Sequence, residues 1–181
     1  MLGVCTLTTD NRFVGFNNNR VTLCFQAVTI DNGLAYVGAS DHTFRAIDIH
    51  TGKVLWKYGE VKGYIETKPL ITDNKVIFGA WDNTLYALDK NDGKEIWKWT
   101  GGLTRMHFSP AAVWPVAAEG KVFIADPQRA LTAIDLENGK TVWRTFESQV
   151  RETVGLSEDG KQRHTGAAPR EQPRDSPVIE R

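Results

Sequence analysis

The sequence has little of what would place it in a specialised class of protein. Its 181 residues include only two cysteines, Cys5 and Cys24, which is neither a disulfide scaffold nor a metal-ligand spacing. The 22 basic and 22 acidic side chains cancel, so no long-range field attracts nucleic acid or an anionic membrane. No apolar run approaches the roughly 20 residues of a membrane helix, and the start lacks the basic and apolar regions of a signal peptide. We interpret the cysteines as small buried hydrophobes in a globular chain.

What the sequence does have is internal repetition. The segment AIDIHTGKVLW at 46–56 returns as ALDKNDGKEIW at 87–97 and as AIDLENGKTVW at 133–143. Ala, Asp, Gly, Lys and Trp keep their offsets in all three copies, which follow one another at 41 and then 46 residues. A repeat of this length indicates a solenoid or a propeller.

Each copy reads as short strands joined by tight turns. β-Branched and aromatic residues stand between Gly, Asn and Asp clusters, which is typical of a hairpin meander of about four strands. Four strands in forty-odd residues make one propeller blade. The sequence therefore predicts an all-β fold, a partial β-propeller of about three to four four-stranded antiparallel blades, with successive blades at 33–58, 75–99 and 121–146.

The repeated residues have structural roles in such a fold. In the turn, the Asp carboxylate accepts hydrogen bonds from backbone N–H groups just ahead of it, and the Gly takes a positive φ. We expect each tryptophan ring to lie over Ala and Gly positions of the adjoining blade, where small residues make room for it. The residues expected to hold the blades together are Asp48, Gly52, Trp56, Asp89, Gly93, Trp97, Asp135, Gly139 and Trp143.

These units resemble the tryptophan-docking repeats of the pyrroloquinoline-quinone-like, or quinoprotein-like, β-propellers over residues 27–161. The third unit looks most like the propellers associated with bacterial metallophosphatases. The resemblance implies a periplasmic or cell-envelope location and a non-catalytic segment that acts as a protein-interaction or ligand-presenting scaffold. The alternative is an accessory propeller part of a metallophosphatase, or a remnant of a quinone-dependent dehydrogenase. In those dehydrogenases two adjacent bonded cysteines cap the quinone; this sequence has no such pair, so no cofactor is expected.

No catalytic constellation is evident. The four histidines share no metal-ligand spacing and are interpreted as solvated residues of turns and of the tail. The loop carboxylates Asp41, Asp82 and Asp126, with the amide of Asn83, are interpreted as solvated groups rather than calcium ligands. The sequence therefore predicts neither an enzyme nor a metal site.

One connection between blades is longer than the others, in the stretch WTGGLTRMHFSPAAVW at 99–114. Loops on a rigid scaffold often carry binding. A polar and aromatic patch near the central channel is predicted here, with the alternative that these residues simply pack or are solvated. Its members are Arg105, His107, Trp114, Arg129 and Arg151.

Both ends depart from the repeat. Residues 1–26 lose its register and are interpreted as an altered or truncated blade. Residues 162–181 combine prolines and charges with no aromatic, which predicts a disordered and dispensable tail. The segment begins abruptly just past a turn, in mid-blade, which indicates a shifted reading frame rather than the alternative, a natural linker. The chain is accordingly interpreted as a fragment. Its expected partners are the remaining blades of a longer parent, a protein partner, or another copy bound through open blade faces.

Overall fold

Every regular element that the structure describes is a β-strand. The computed structural model describes residues 5–7, 12–17, 20–101, 113–125, 130–147, 154–156 and 163–165. Within these ranges no helix has the length and apolar character needed to cross a membrane. The strands are β1 (Cys5–Leu7), β2 (Arg12–Asn17), β3 (Arg20–Asp31), β4 (Leu34–Gly38), β5 (Phe44–Asp48), β6 (Val54–Tyr58), β7 (Leu70–Ile71), β8 (Lys75–Gly79), β9 (Thr84–Asp89), β10 (Glu95–Thr100), β11 (Val116–Ala118), β12 (Lys121–Ala125), β13 (Leu131–Asp135), β14 (Thr141–Thr145), β15 (Val154–Leu156) and β16 (Arg163–Thr165).

The strands repeat a four-stranded antiparallel pattern three times. The second blade is β7–β10 and the third is β11–β14, each in sequential order. The first blade is β4–β6 together with the second half of β3. The first half of β3 pairs with β2, so β1–β6 form one six-stranded sheet. The predicted all-β fold and partial β-propeller are confirmed.

Both ends of the chain contain strands. Strands β1 and β2 lie within residues 1–26 and continue the sheet of the first blade; that this segment is an altered blade stays a prediction. Strand β16 lies within the segment predicted to be disordered, and it pairs with β15. The rest of 162–181 lies outside the described residues, so disorder of the tail also stays a prediction.

The second blade is buried on both of its faces. Successive side chains of a strand point to opposite sides, and each side faces a neighbouring blade. One set, including Val76 and Phe78, packs against the first blade, where Phe78 stacks on Phe44 with ring centroids 4.1 Å apart. The other set, including Ile77 and Leu85, packs against the third blade. All five residues of β8 are therefore buried.

A β-bulge directly precedes each repeated tryptophan. In the first blade Trp56 is paired with Ala46, while the next pair along the strands joins Val54 to Ile47. The extra residue, Leu55, is exposed. The second and third blades have the same shift at the same place. The bulge turns the tryptophan towards the blade face and the residue before it towards solvent, which accounts for three exposed apolar side chains, Leu55, Ile96 and Val142.

Candidate functional site

The turns between the third and fourth strands have the same geometry in all three blades. In the second blade the N–H of Gly93 donates to the carbonyl of Asp89 at 2.9 Å, and Asn91 N–H donates to the Asp89 carboxylate at 2.7 Å. Gly93 has a φ of 73°, which favours glycine over residues with a Cβ. The turns at Asp48–Gly52 and Asp135–Gly139 have equivalent backbone bonds and glycine φ angles of 70° and 71°.

Each of two tryptophans docks on the turn of the following blade. The indole N–H of Trp56 donates to the carbonyl of Lys90 at 3.1 Å, and its ring covers Gly93 so closely that a Cβ there would lie 2.5 Å from it. Trp97 repeats the arrangement one blade later, with its N–H 2.9 Å from the carbonyl of Leu136 and its ring over Gly139. The docking is therefore directional along the chain.

Each of these two tryptophan rings thus contacts a glycine of the adjoining blade, as expected. The alanine was also expected to come from the adjoining blade, but it belongs to the tryptophan's own blade. Ala87, for example, lies directly opposite Trp97 on the neighbouring strand. Side chains of directly paired residues share one face of a sheet. The small alanine side chain leaves that face open for the ring.

Polar contacts reinforce the same two interfaces. The hydroxyl of Tyr58 donates to Glu95 across the first interface, and at the equivalent place in the second Trp99 N–H donates to the Thr141 hydroxyl at 2.9 Å. Burial, followed by the hydrogen bond to Glu95, raises the pKa of Tyr58. The first interface has an ion pair between Asp31 and Lys90 at 3.0 Å, and the second has one between Lys75 and Glu137 at 2.8 Å.

The loop between the second and third strands of the first blade is built around Asp41. Its carboxylate accepts from the Thr43 N–H and hydroxyl and pairs with Arg45. Burial raises the pKa of Asp41, but the hydrogen bonds from Arg45 and Thr43 outweigh that effect and hold the pKa at about 2, below its ordinary value of 3.8. Asp82 has a related arrangement in the second blade, where it accepts from Tyr86 and from Thr84 N–H.

Replacing Arg45 by Gln is expected to raise the pKa of Asp41 towards 3.8, because the largest lowering contact is removed. Since the folded-state pKa is depressed, ionised Asp41 stabilises the fold above about pH 4, and this contribution is lost as the pH falls towards 2. An NMR titration of the Asp41 carboxyl carbon measures the shift. The control is Lys140→Gln, which removes a cation from a turn of the third blade; an equal pKa change in both variants would contradict the assignment.

The innermost strands of the three blades line an open cavity of about 500 Å³, which we call the inner-strand groove. Equivalent positions of the three repeats lie next to one another here, as the wall of a propeller's central channel requires. The floor is largely apolar, and Ile30 is exposed on it. The lining residues are Thr29, Ile30, Asp31, Lys68, Pro69, Leu70, Ile71, Trp114, Pro115 and Val116.

An aromatic–cation pair stands at one end of the inner-strand groove. The ammonium of Lys68 lies 5.4 Å from the centroid of the Trp114 ring, within the range of a cation–π contact. Trp114 is 49% exposed, unlike the docked tryptophans. The two residues occupy equivalent positions of the repeat. Each immediately precedes a proline that also lines the groove. The pair therefore presents a flat ring and a positive charge to solvent.

The predicted binding patch is only partly within the described residues. Trp114 lines the inner-strand groove; its part in a binding patch near the central channel stays a prediction. The sequence pattern does not distinguish Lys68, because an isolated lysine in a connecting segment carries no signal; only its equivalence to Trp114 in the repeat points to it. Arg105, His107, Arg129 and Arg151 lie outside the described residues, and their part in the patch stays a prediction.

The described residues do not form a metal centre. In the part of the chain that the structure describes, no group of three or more His, Cys, Asp or Glu side chains is placed to hold a metal ion. Asp41 and Asp82 are engaged by the side chains and N–H groups named above, and Asp126 lies outside the described residues.

Comparison with known proteins identifies the repeats. The sequence model of the family described as "Outer membrane protein assembly factor BamB" matches residues 26–167. The structure of BamB from Moraxella catarrhalis superposes with a TM-score of 0.58 at 22% identity, over 79% of this chain and 45% of that one. The chain thus spans less than half the length of this relative. A search of curated protein sequences returned no significant match.

Quinone-dependent enzymes share the fold. Quinohemoprotein alcohol dehydrogenase from Comamonas testosteroni superposes with a TM-score of 0.52 at 29% identity, over 65% of this chain and 20% of that one. The corresponding enzyme ADHIIG from Pseudomonas putida HK5 gives 0.54 at 23% identity over the same shares. These comparisons do not support the predicted closeness to metallophosphatase-associated propellers.

Proposed function

The chain belongs to the family described as outer membrane protein assembly factor BamB, and on this premise we propose that it is a non-catalytic propeller segment serving as a protein-interaction scaffold. The family description supports a location in a bacterial envelope, on its periplasmic side, and a protein as the partner. The remaining blades of a longer parent and other copies of the chain are further proposed partners.

The observation that carries the proposal is the inner-strand groove. It is open and largely apolar along the inner strands, and it has an exposed aromatic and a cation at one end. An exposed apolar surface rimmed by polar groups marks a binding site. Exposed tryptophans in such places contribute strongly to protein recognition.

The chemistry of the groove favours an extended polypeptide segment that carries apolar and acidic side chains. Apolar side chains of the segment would cover Ile30 of the first blade, Leu70 and Ile71 of the second and Val116 of the third, which all line the groove. A carboxylate would meet the Lys68 ammonium, which Trp114 holds at the end of the groove. Asp31 also lines the groove, but its carboxylate already forms an ion pair with Lys90. The bound segment therefore needs no cation to neutralise it.

We expect a fluorescently labelled peptide of alternating Leu and Glu to bind the 181-residue chain more tightly than its Leu–Lys counterpart. Trp114→Ala is expected to weaken binding about tenfold or more, and Lys68→Ala several-fold, since truncating an aromatic anchor commonly costs more than about 1.4 kcal/mol. Fluorescence anisotropy measures both effects.

The matched controls are Phe146→Ala, which removes an exposed aromatic outside the groove, and Lys140→Ala, which removes a turn lysine. Both should leave peptide affinity unchanged. Equal affinity for the Glu and Lys peptides, or wild-type affinity in Trp114→Ala, would contradict the proposed site.

A quinone-enzyme segment is the second candidate, favoured by the 29% identity to a quinohemoprotein alcohol dehydrogenase. The same variants distinguish the two. If pyrroloquinoline quinone with calcium binds the chain, Trp114→Ala abolishes that binding and the Leu–Glu peptide fails to compete, then the enzyme interpretation replaces the scaffold.

A further inference from the structure

The dipeptide Asn-Gly occurs twice in the sequence, at 32–33 and at 138–139. Asparagine followed by glycine is prone to spontaneous deamidation, because the backbone nitrogen of a residue without a Cβ easily reaches the side-chain amide. The fold places the two copies in different environments, and this difference determines which of them reacts.

Asn32 and Gly33 form the two-residue turn between β3 and β4. Their φ angles are 47° and 78°, as in a hairpin turn of type I′. Asn32 is exposed, and its amide nitrogen donates to the Asp31 carboxylate at 3.1 Å. The Gly33 carbonyl accepts from the Ile49 N–H, whereas the Gly33 N–H donates to no acceptor within the described part of the chain. The nitrogen that attacks an asparagine amide is therefore available in this turn.

Asn138 and Gly139 lie in the turn of the third blade on which Trp97 docks, and there the same nitrogen is engaged. The Gly139 N–H donates to the carbonyl of Asp135 at 3.0 Å, and the Asn138 side-chain oxygen accepts from the Lys140 N–H at 2.9 Å. Gly139 is also buried beneath the Trp97 ring. Attack on the Asn138 amide would require both hydrogen bonds to break and the ring to move away.

We propose that Asn32 is a site of covalent modification, at which the folded chain deamidates without an enzyme while Asn138 stays intact. The Gly33 nitrogen loses its proton and forms a bond to Cγ of Asn32, and the bond from Cγ to Nδ2 breaks, so that ammonia leaves with that proton. Water then opens the resulting succinimide ring at one of its two carbonyls. Opening at the Cγ carbonyl gives aspartate, and opening at the main-chain carbonyl gives isoaspartate.

The fold accommodates the aspartate product. The equivalent turn of the third blade contains Glu119 and Gly120 at φ angles of 50° and 68°, so a carboxylate at this position is compatible with the same backbone. The first blade differs in the residue before the turn, where Asp31 has Ala118 as its equivalent in the third. Deamidation therefore places two carboxylates side by side, next to the Lys90 ammonium that already pairs with Asp31.

The added charge has a consequence for the inner-strand groove, which rests on the function proposed above. Asp31 lines the groove, so a second carboxylate beside it makes that wall more negative and less favourable to an acidic segment. We expect the Asn32→Asp variant to bind the Leu–Glu peptide about twofold to fivefold more weakly than the wild type, the usual size of one charge interaction at a surface.

Mass spectrometry of the 181-residue chain, kept folded in mildly alkaline buffer and digested at successive times, tests the modification. We expect the peptide containing Asn32 to gain the mass of a carboxylic acid at least about tenfold faster than the peptide containing Asn138, whose turn must open first. In urea the two peptides should convert at similar rates, because neither turn is then formed. Labelling by an isoaspartate methyltransferase detects the isoaspartate product.

Asn32→Gly is the control, because Gly-Gly also suits a type I′ turn and has no amide to lose; the methyltransferase should then label no residue of this turn. Equal conversion of Asn32 and Asn138 in the folded chain, or an Asn32 that converts only in urea, would overturn the proposal. The mass measurement does not depend on peptide binding, so failure of the modification site and failure of the proposed function are distinguished.

Discussion

Trp97→Ala is expected to destabilise the chain by about 3–5 kcal/mol, the usual cost of truncating a buried tryptophan. The ring is 6% exposed, lies between the second and third blades and donates to the carbonyl of Leu136. Its removal leaves a cavity over Gly139 and an acceptor without its donor. Urea denaturation at low protein concentration, where copies do not associate, measures the change in the free energy of unfolding.

Two companion variants identify the cause. Trp97→Phe keeps most of the apolar contact and loses the N–H donor, so it should cost less than the alanine variant. Trp114→Ala removes an exposed tryptophan and should cost below about 1 kcal/mol. If Trp97→Ala and Trp114→Ala destabilise the chain equally, tryptophan docking is not what holds the second and third blades together.

Gly93→Ala is expected to be the second most damaging single change, through two separable effects. A residue with a Cβ at a φ of 73° costs about 1–2 kcal/mol. The new methyl group would also lie 2.5 Å from the Trp56 ring, and overpacking of this kind adds about 1–3 kcal/mol. The total loss of stability should therefore reach about 2–5 kcal/mol in the same urea experiment.

Gly52→Ala is the matched control, because the same substitution is made in the same turn at a φ of 70° but with no ring within reach. In the monomeric chain it should show the backbone cost alone. The difference between the two variants measures how tightly Trp56 is docked. Equal costs would mean that the ring moves aside freely and that the close approach at Gly93 has no energetic weight.

The local parts of the fold were predictable from the sequence. The turn that begins at Asp89 and contains Gly93 depends on hydrogen bonds between residues only a few positions apart, so its residues specify it without help from the rest of the chain. The spacing of these turns gave the number of strands in a blade. The three copies of the repeat then indicated a propeller, because one sheet of this kind cannot bury both its faces alone.

The partners of the tryptophans were only partly predictable. A repeated tryptophan indicates an interface, and its contact with glycine was expected. The alanine of the same blade lies opposite the tryptophan because of the strand register. The bulge before each tryptophan shifts that register by one residue. A bulge has no reliable signature in one sequence, since it depends on how the paired strands fit.

The sequence by itself determined the blades, their turns and the identity of the residues that join them, because each of these follows from contacts within a few residues or from exact repetition. The tertiary structure alone decided the direction of docking, from each tryptophan to the turn of the following blade, and the existence of the inner-strand groove. Trp56 and Lys90 are 34 positions apart, and Lys68 and Trp114 are separated by the whole second blade. Such pairs meet only where the stacking of twisted sheets brings them together, and that geometry belongs to the assembled blades rather than to any one segment.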